Sequence, residues 1–199
     1  MFNFLLQNNT KYSQELFNKC AQCSVPFVYA SSAATYGNGS AGFTDGLDEE
    51  LLATLRPLNA YGWTKHLFDQ NVARWVQDPG TRPPQYAGLK FFNVYGPNEY
   101  HKGFMKSVVC EKYTMARRDE PITLFKSYNE EYTDGGQLRD FIYVKDCVDV
   151  MLWLFDTPNV KVNEAVTFRV KLSGSGNLNQ FKMKGICLLY TSPSPRDAT

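Results

Sequence analysis

The sequence predicts an α/β protein in which a doubly wound parallel sheet is covered by helices. Two apolar runs, residues 25–30 and 86–92, are typical of buried strands, and segments with helical periodicity surround them. Polar side chains stand where these runs end, Ser32 after the first and Asn93 after the second. Because ligands bind beyond the carboxyl ends of the strands in such a sheet, Ser32 and Asn93 are candidate site residues.

The composition is that of an ordinary globular domain. The chain has 199 residues, 43% hydrophobic and 21% charged, with a formal net charge of +1. This balance gives no reason to expect nucleic acid or a membrane as a partner, and no run approaches the ~20 apolar residues that cross a bilayer. Five cysteines, an odd number, and a start that does not resemble a secretory leader predict reduced thiols in the cytoplasm.

The first helix is predicted over residues 8–23, with Asn8-Asn9-Thr10 as its N-terminal cap. Near its end, the pair Cys20-x-x-Cys23 could indicate a zinc or redox site. The two histidines, His66 and His101, have no spacing that would complete a zinc site, so two structural cysteines are favoured and no metal is predicted.

The next helix is predicted from Pro57, with Asn59 as a cap, to about Gln77. Within it, Tyr61 and Lys65 are four residues apart and therefore share a face. A free tyrosine has a pKa of about 10, and a neighbouring ammonium lowers it by favouring the phenolate. Tyr61 could simply be a core aromatic, but a lysine on the same stripe is costly unless it has a partner or a task there. The spacing therefore predicts a pair for proton transfer.

The remaining predicted elements are short. We expect a solvated acidic surface at 48–50, a helix over about 105–118, a short strand at 121–125, a polar loop over 126–137, and a strand at 141–144 followed by a helix. Arg139 could bind a diphosphate through its planar guanidinium, or it could pair with Asp140 as many surface arginines do.

Four segments, in this order, resemble the extended short-chain dehydrogenase/reductase family, whose members oxidise or epimerise nucleotide sugars with a bound nicotinamide. They are YASSAATYG (29–37), Tyr61-x-x-x-Lys65, FFNVYGP (91–97) and RDFIYVKD (139–146). The run AATYG and the sequence His101-Lys102-Gly103 are most similar to the branch that epimerises ADP-heptose. The resemblance implies a Rossmann-like fold, NADP as the cofactor, an ADP-heptose nucleotide sugar as the substrate and a homo-oligomer at full length.

The resemblance also implies roles for individual residues. Tyr61 and Lys102 would be bases on opposite faces of the sugar, and Ser32 would hydrogen-bond the reacting oxygen. From the residues alone, Lys102 could equally be a solvated loop lysine and Asn8 a plain helix cap. The implied cofactor contacts are Asn8, Lys65, Val94 and Lys102, and the implied substrate contacts are Ser32, Asn93, Phe125, Lys126, Ser127 and Arg139.

The resemblance covers roughly residues 8–163 and sets the expected domain layout. Residues 1–97 would be the C-terminal part of the NADP-binding domain, 98–140 part of a substrate-binding region, and 141–165 a return strand and helix. No Gly-x-Gly-x-x-Gly loop precedes residue 8, so the N-terminal half is predicted to be missing. Residues 166–199 depart from the family and are predicted to be a non-native tail, from a frame slip or adapter read-through.

Two kinds of alternative function stay open. One is another sugar-nucleotide reaction, such as a hexose 4-epimerase or a 4,6-dehydratase. Dehydratases of the family usually place an acidic pair beside the strand-end hydroxyl, whereas Ala33-Ala34 follow Ser32, which argues against dehydration. The other is an inactive fragment that only binds a nucleotide.

Overall fold

The computed structural model describes residues 2–128, 130, 132–136, 140–157 and 187–191. The chain enters through a long helical segment. Helix α1 (Phe2–Leu6) continues through a π-helical turn (Gln7–Lys11) into α2 (Tyr12–Gln22). The predicted N-terminal cap at Asn8–Thr10 is therefore wrong, because helical backbone runs straight through these residues.

The central sheet is built on two parallel strands. β1 (Phe27–Ser32) and β2 (Tyr86–Phe91) pair in register from Phe27↔Tyr86 to Ser32↔Phe91. β5 (Cys187–Thr191) pairs antiparallel with the other edge of β2, which gives the strand order β1-β2-β5. Part of the predicted tail thus pairs with the sheet, and the non-native origin of that tail stays a prediction.

A second parallel pair follows the central sheet. A single residue, Phe92, separates β2 from β3 (Asn93–Tyr95). β3 pairs with β4 (Phe141–Tyr143). The sequence predicted Asn93 just beyond the carboxyl end of the strand over 86–92. In the structure, Asn93 is instead the first residue of β3. The predicted strands at 86–92 and 141–144 are confirmed to within one residue.

Helices cover both faces of the central sheet, which confirms the doubly wound α/β architecture. Side chains alternate between the faces along each strand, and each face has its own apolar cluster. One cluster joins β1 and β2 to α2 and to α4 (Ala60–Trp75), and its buried aromatic members are Phe17, Phe27, Tyr29, Tyr36, Phe68 and Tyr86. The other joins β2 to β4 and α6 (Val144–Asp156) through Ala87, Leu89, Ile142, Val150 and Leu154.

Between β1 and α4 the chain makes an excursion whose two ends meet. Gly37 has a φ of +65°, and a Cβ atom there would overlap the carbonyl oxygen of Arg56, so only glycine fits. Within the excursion, Asp48 caps the helix α3 (Glu49–Thr54) by accepting a hydrogen bond from the Leu51 N–H at 2.9 Å. The acidic residues 48–50 are exposed, as predicted, but the helix that they begin was not predicted.

The segment after β3 differs from its prediction in two places. Residues Tyr100–Met105 form a 3-10 helix. The first residue of α5 (Val108–Arg117) is therefore Val108, three residues later than expected, and Ser107 caps this helix. The predicted strand at 121–125 is wrong, because these residues are exposed and have no strand partner in the part of the chain that the structure describes. No described helix combines the length and the hydropathy needed to cross a membrane.

Candidate active site

Ser32 ends β1 and starts the turn that leads away from it. Its side chain is 8% exposed, and its Oγ accepts a hydrogen bond from the Ala34 N–H at 3.1 Å, so Ser32 caps the 3-10 turn Ala33–Tyr36. The Thr35 hydroxyl donates to the Ser32 carbonyl at 2.8 Å. Because Oγ serves as an acceptor in the cap, the Ser32 hydroxyl proton can be donated to a ligand.

The first turn of α4 packs closely on this turn. Asn59 caps the helix, as predicted, by accepting a hydrogen bond from the Gly62 N–H at 2.8 Å. A Cβ atom at Gly62 would stand 2.8 Å from the Ala34 carbonyl oxygen and 3.0 Å from the Pro57 Cβ. Glycine at position 62 therefore lets the start of α4, which carries Tyr61, approach the residues that follow Ser32.

Lys65 ties α4 to the carboxyl end of β1. Its half-buried side chain donates from Nζ to the Ala30 carbonyl at 3.0 Å, two residues before Ser32. The same Nζ lies 5.9 Å from the centre of the Tyr61 ring, and Tyr61 is 41% exposed. The predicted cost of a lysine on this stripe is thus offset by a specific partner. Tyr61 is not a core aromatic, and its side chain stays accessible from solvent.

A buried carboxylate, missed in the sequence, lies one helical turn beyond Lys65. Asp69 is fully buried and accepts hydrogen bonds from the Tyr29 hydroxyl at 3.1 Å and the Ser31 hydroxyl at 2.6 Å. Burial raises the pKa of Asp69, whereas Lys90, the two hydroxyls and Lys65 favour its ionised form. The signal for this residue was its spacing, since Asp69 repeats the four-residue interval from Tyr61 to Lys65.

The counter-charge to Asp69 comes from the second-last residue of β2. Lys90 is 1% exposed, and its Nζ lies 3.9 Å from Asp69 Oδ2. It also donates to Thr35 Oγ1 at 2.6 Å and lies 4.3 Å from the centre of the Tyr36 ring. A lysine that interrupts the apolar run of a predicted buried strand was the sequence signal for this ion pair.

Lys102 lies on a loop that a second buried carboxylate holds in place. Its Nζ is 3.5 Å from Glu99 Oε2, and its side chain is 44% exposed. Glu99 is 4% exposed and accepts from the Gly96 N–H at 3.0 Å, the Ser107 N–H at 2.8 Å and the Ser107 hydroxyl at 2.7 Å. Burial alone would raise the pKa of Glu99, but these hydrogen bonds and the Lys102 charge lower it to about 2.

Asn8 lies in the π-helical turn, which docks on α4 beside Lys65. The side chains of its neighbours Asn9 and Thr10 donate to the Thr64 hydroxyl and carbonyl at 3.1 and 2.9 Å. Asn8 itself is exposed and donates to the Phe4 carbonyl at 2.9 Å. The structure thus brings Asn9 and Thr10, the neighbours of Asn8, to the residue before Lys65, and the contact of Asn8 with a cofactor stays a prediction.

Asn93 and Val94 lie on β3. The Asn93 side chain is exposed and donates to the Asp140 carbonyl at 2.8 Å, which fastens β3 to the segment before β4. Val94 is half-buried against the apolar cluster beneath α6. One N–H of the Asn93 side-chain amide therefore already donates within the protein. The substrate role predicted for Asn93 is untested.

The segment predicted to bind the ADP end of the substrate is an exposed loop. Phe125 and Lys126 are exposed, and the loop is closed by hydrogen bonds from the Ser127 N–H to Asp134 at 2.7 Å and from the Gly135 N–H to the Phe125 carbonyl at 2.8 Å. Arg139 lies outside the described residues. These substrate contacts stay predictions.

One buried side chain beside the site has no assigned role. His66 is 1% exposed, its ring packs against Trp63, and its Nδ1 has no hydrogen-bond partner among the described residues. Burial and the nearby charges of Lys90 and Arg56 lower the pKa of His66 to about 4, so the ring is neutral at physiological pH. The described part of the chain contains no cluster of three or more His, Cys, Asp or Glu residues that could hold a metal ion.

Comparison with known proteins decides the family. The family described as "NAD dependent epimerase/dehydratase family" matches residues 3–167. The chain belongs to this family. The predicted resemblance, which is carried by four segments in the same order, is thereby confirmed.

Curated members of the epimerase/dehydratase family are identical to the chain at about half of the aligned positions. ADP-L-glycero-D-manno-heptose-6-epimerase of Nitratidesulfovibrio vulgaris (strain DP4) is 51% identical over 158 residues, which are 79% of this chain and 47% of that protein. The protein of the same name from Fusobacterium nucleatum is 49% identical over 152 residues, 76% of this chain and 45% of that protein. The chain spans about half the length of these curated relatives.

Solved structures of the epimerase/dehydratase fold also match. The crystal structure of Helicobacter pylori ADP-L-glycero-D-manno-heptose-6-epimerase superposes with a TM-score of 0.61 at 26% identity, covering 78% of this chain and 44% of that chain. Pal from Bacillus thuringiensis superposes with a TM-score of 0.55 at 23% identity, covering 74% of this chain and 42% of that chain. The predicted Rossmann-like α/β fold is confirmed.

Proposed function

We propose that the complete protein that contains this chain inverts C6 of the heptose in ADP-D-glycero-D-manno-heptose, with NADP as its cofactor. The observation that carries the proposal is the docking of α4 on the end of β1, where Lys65 binds the Ala30 carbonyl and Gly62 packs against the turn after Ser32. This docking sets a tyrosine and a lysine, one helical turn apart, beside a strand-end serine. The names of the curated relatives support the choice of substrate.

The described residues fit part of a nicotinamide dinucleotide. An ammonium has three donors, and the Lys65 Nζ donates one of them to Ala30, so two can bind ribose hydroxyls. Asn8, on the turn docked beside Lys65, would add an amide, and Val94 would add an apolar surface. When bound, NADP supplies reversible hydride exchange with the substrate carbon. The choice of NADP over NAD follows the resemblance to the ADP-heptose branch.

The protein groups handle the protons of the reaction. Inversion of a carbon through oxidation and re-reduction needs a proton moved on each face of the sugar, so two bases are required. Tyr61 acts on one face and Lys102 on the other, while the Ser32 hydroxyl donates to the reacting oxygen and stabilises its developing charge. Asn93, Phe125, Lys126, Ser127 and Arg139 bind the rest of the nucleotide sugar.

The proposal extends to the setting of the complete protein. It would act in the cytoplasm as a homo-oligomer and make a precursor of the lipopolysaccharide core. The odd cysteine count, which favours reduced thiols, supports the location.

Substitutions of the two bases in the complete protein test the proposal. Tyr61→Phe and Lys102→Met should each lower turnover of the ADP-heptose by at least ~10²-fold, the usual contribution of a general acid or base, and leave NADP binding intact. Tyr113→Phe and Lys145→Met, on exposed positions of α5 and α6, are matched controls that should keep full turnover. Retained turnover in both base variants would refute the assignment.

Substrate assays and a titration separate the rival functions. The complete protein should convert ADP-heptose faster than UDP-hexoses, and the reverse preference would identify a hexose epimerase. Titration of the 199-residue chain with NADP, followed by fluorescence, measures whether these 199 residues bind the cofactor without the rest of the protein.

A further inference from the structure

Asp69 is the point at which α4, β1 and β2 are joined by polar contacts. From α4, its carboxylate accepts hydrogen bonds from Tyr29 and Ser31 on β1 at 3.1 and 2.6 Å, and it faces the Lys90 ammonium of β2 at 3.9 Å. All of these contacts are buried. A single fully buried carboxylate thus fixes the position of α4 relative to β1 and β2.

Stability alone does not explain this arrangement. Removing two charges from water is costly, and a well-packed apolar set of similar volume is often as stable as a buried ion pair or more stable. A buried network restricts the position of the elements that it joins. Hydrogen bonds require a narrow range of distance and angle, whereas apolar contacts do not. The position of α4 is therefore more narrowly defined than its apolar packing would make it.

The contacts of Asp69 and Lys90 lead directly to the site residues. Tyr61, Lys65 and Asp69 lie one helical turn apart on one face of α4, so fixing Asp69 fixes the two residues above it. Ser31 precedes Ser32 in the chain. Lys90 binds the Thr35 hydroxyl at 2.6 Å, and the same hydroxyl donates to the Ser32 carbonyl at 2.8 Å. The helix with the tyrosine and the turn with the serine are both held by the same ion pair.

We propose that the Asp69–Lys90 pair is a positioning device for the site: Asp69 places Tyr61 and Lys65, and Lys90 places the turn of Ser32. The effect on turnover rests on the proposed function, whereas the effect on Lys65 does not. Neither Asp69 nor Lys90 is proposed to touch the substrate.

The electrostatics of Lys65 agree with this role. Burial lowers the pKa of Lys65, and the Asp69 carboxylate opposes the shift. Among the described residues, Lys65 contacts the Tyr61 ring on its own helix and the Ala30 carbonyl on β1, and the Asp69 carboxylate acts on it through its charge. Loss of the carboxylate should therefore lower the pKa of Lys65 further.

The first experiment uses the 199-residue chain and needs no activity. Wild type, Asp69→Asn and the matched control Val72→Ala, a fully buried apolar position on the same helix, are labelled at lysine and at the alanine carbonyl carbons and titrated by NMR. Asp69→Asn should lower the pKa of Lys65 and shift the Ala30 carbonyl signal, whereas Val72→Ala should change neither. An unchanged Lys65 in folded Asp69→Asn would overturn the proposal.

A double variant keeps the test decisive if a single change prevents folding. Asp69→Asn leaves the Lys90 ammonium without its counter-charge, whereas Asp69→Asn with Lys90→Met removes both charges and should fold more stably than either single variant. The pKa of Lys65 should be lower in the double variant than in Lys90→Met, which removes the same positive charge and keeps Asp69. Equal Lys65 values in these two proteins would contradict the role of Asp69.

The second experiment measures turnover of ADP-heptose by the complete protein. The double variant should lose at least tenfold in kcat with little change in KM, while Val72→Ala, compared at a matched loss in Tm, should keep its kcat. Equal kcat losses in both would overturn the positioning role. If the wild-type protein does not epimerise ADP-heptose, the proposed function fails, and the NMR experiment still decides the placement of Lys65.

Discussion

Replacing Glu99 with glutamine should destabilise the protein in a way that depends on pH. The Glu99 carboxylate accepts three hydrogen bonds from Gly96 and Ser107 and lies 3.5 Å from Lys102 Nζ, so its charged form is strongly favoured in the folded state. Its pKa falls from 4.5 to about 2. Since one pKa unit corresponds to about 1.4 kcal/mol, ionised Glu99 contributes about 3 kcal/mol at pH 7.

The sign of the pH dependence follows from the lowered pKa. The contribution is complete above pH 4.5, where the carboxylate is ionised in both states, and it is lost as the pH falls from 4.5 through 2. At pH 3 the folded carboxylate is still charged while the unfolded one is protonated, and by linkage about 1.4 kcal/mol remains. The gap between wild type and Glu99→Gln should therefore shrink by about 2 kcal/mol between pH 7 and pH 3.

Urea denaturation of both proteins at several pH values measures this gap, because titrations common to both cancel in the difference. Glu120→Gln, at an exposed acid that lies 3.9 Å from Arg118, is the matched control and should change the free energy of unfolding by less than ~1 kcal/mol at any pH. A gap between wild type and Glu99→Gln that is the same at pH 3 and pH 7 would refute the reasoning.

Three further predictions concern α4. Gly62→Ala should lower the free energy of unfolding by about 1–3 kcal/mol in urea denaturation, because the new Cβ would meet the Ala34 carbonyl at 2.8 Å and outweigh the helix propensity gained; a stabilised variant would contradict the close packing. His66→Phe keeps a ring against Trp63 and removes the orphaned Nδ1, so it should be about 1 kcal/mol more stable than wild type at pH 8. Because the pKa of His66 is lowered from 6.5 to about 4, wild type alone should lose a further ~2 kcal/mol by pH 5, and parallel pH curves for the two proteins would exclude this titration. Lys65→Met should weaken NADP binding by the complete protein about tenfold, and unchanged affinity in a fluorescence titration would remove Lys65 from the cofactor site.

Local patterns predicted those elements whose signals lie within a few residues. The cap at Asn59 and the start of α4 follow from side-chain chemistry next to the helix. Strands β1 and β2 follow from two mainly apolar runs, the second of which contains Lys90. The run at 121–125 has the same local signal, but no described strand lies beside it. A strand needs a partner, and its partner cannot be found from its own residues.

The same distinction applies to the candidate site. The spacing of Tyr61 and Lys65 is a local signal, and the structure places both where the spacing predicted. Asp69 depends on hydroxyls 38 and 40 residues away, and Lys90 on a hydroxyl 55 residues away. Such partners are brought together only by the fold. The sequence carried a signal for Asp69 and for Lys90 separately, but it could not show that the two residues pair.

The meeting of Gly37 with the Arg56 carbonyl has a practical consequence. The segment between Gly37 and Arg56 begins and ends at the same place in the fold. Its length can therefore change without moving β1 or α4. Ser40 and Ala41 are exposed at its outer part, and each doubling of a flexible loop costs only about 0.6 kcal/mol of closure entropy. An epitope or a fluorescent reporter inserted there would label the protein and leave the end of β1 and the start of α4 in place.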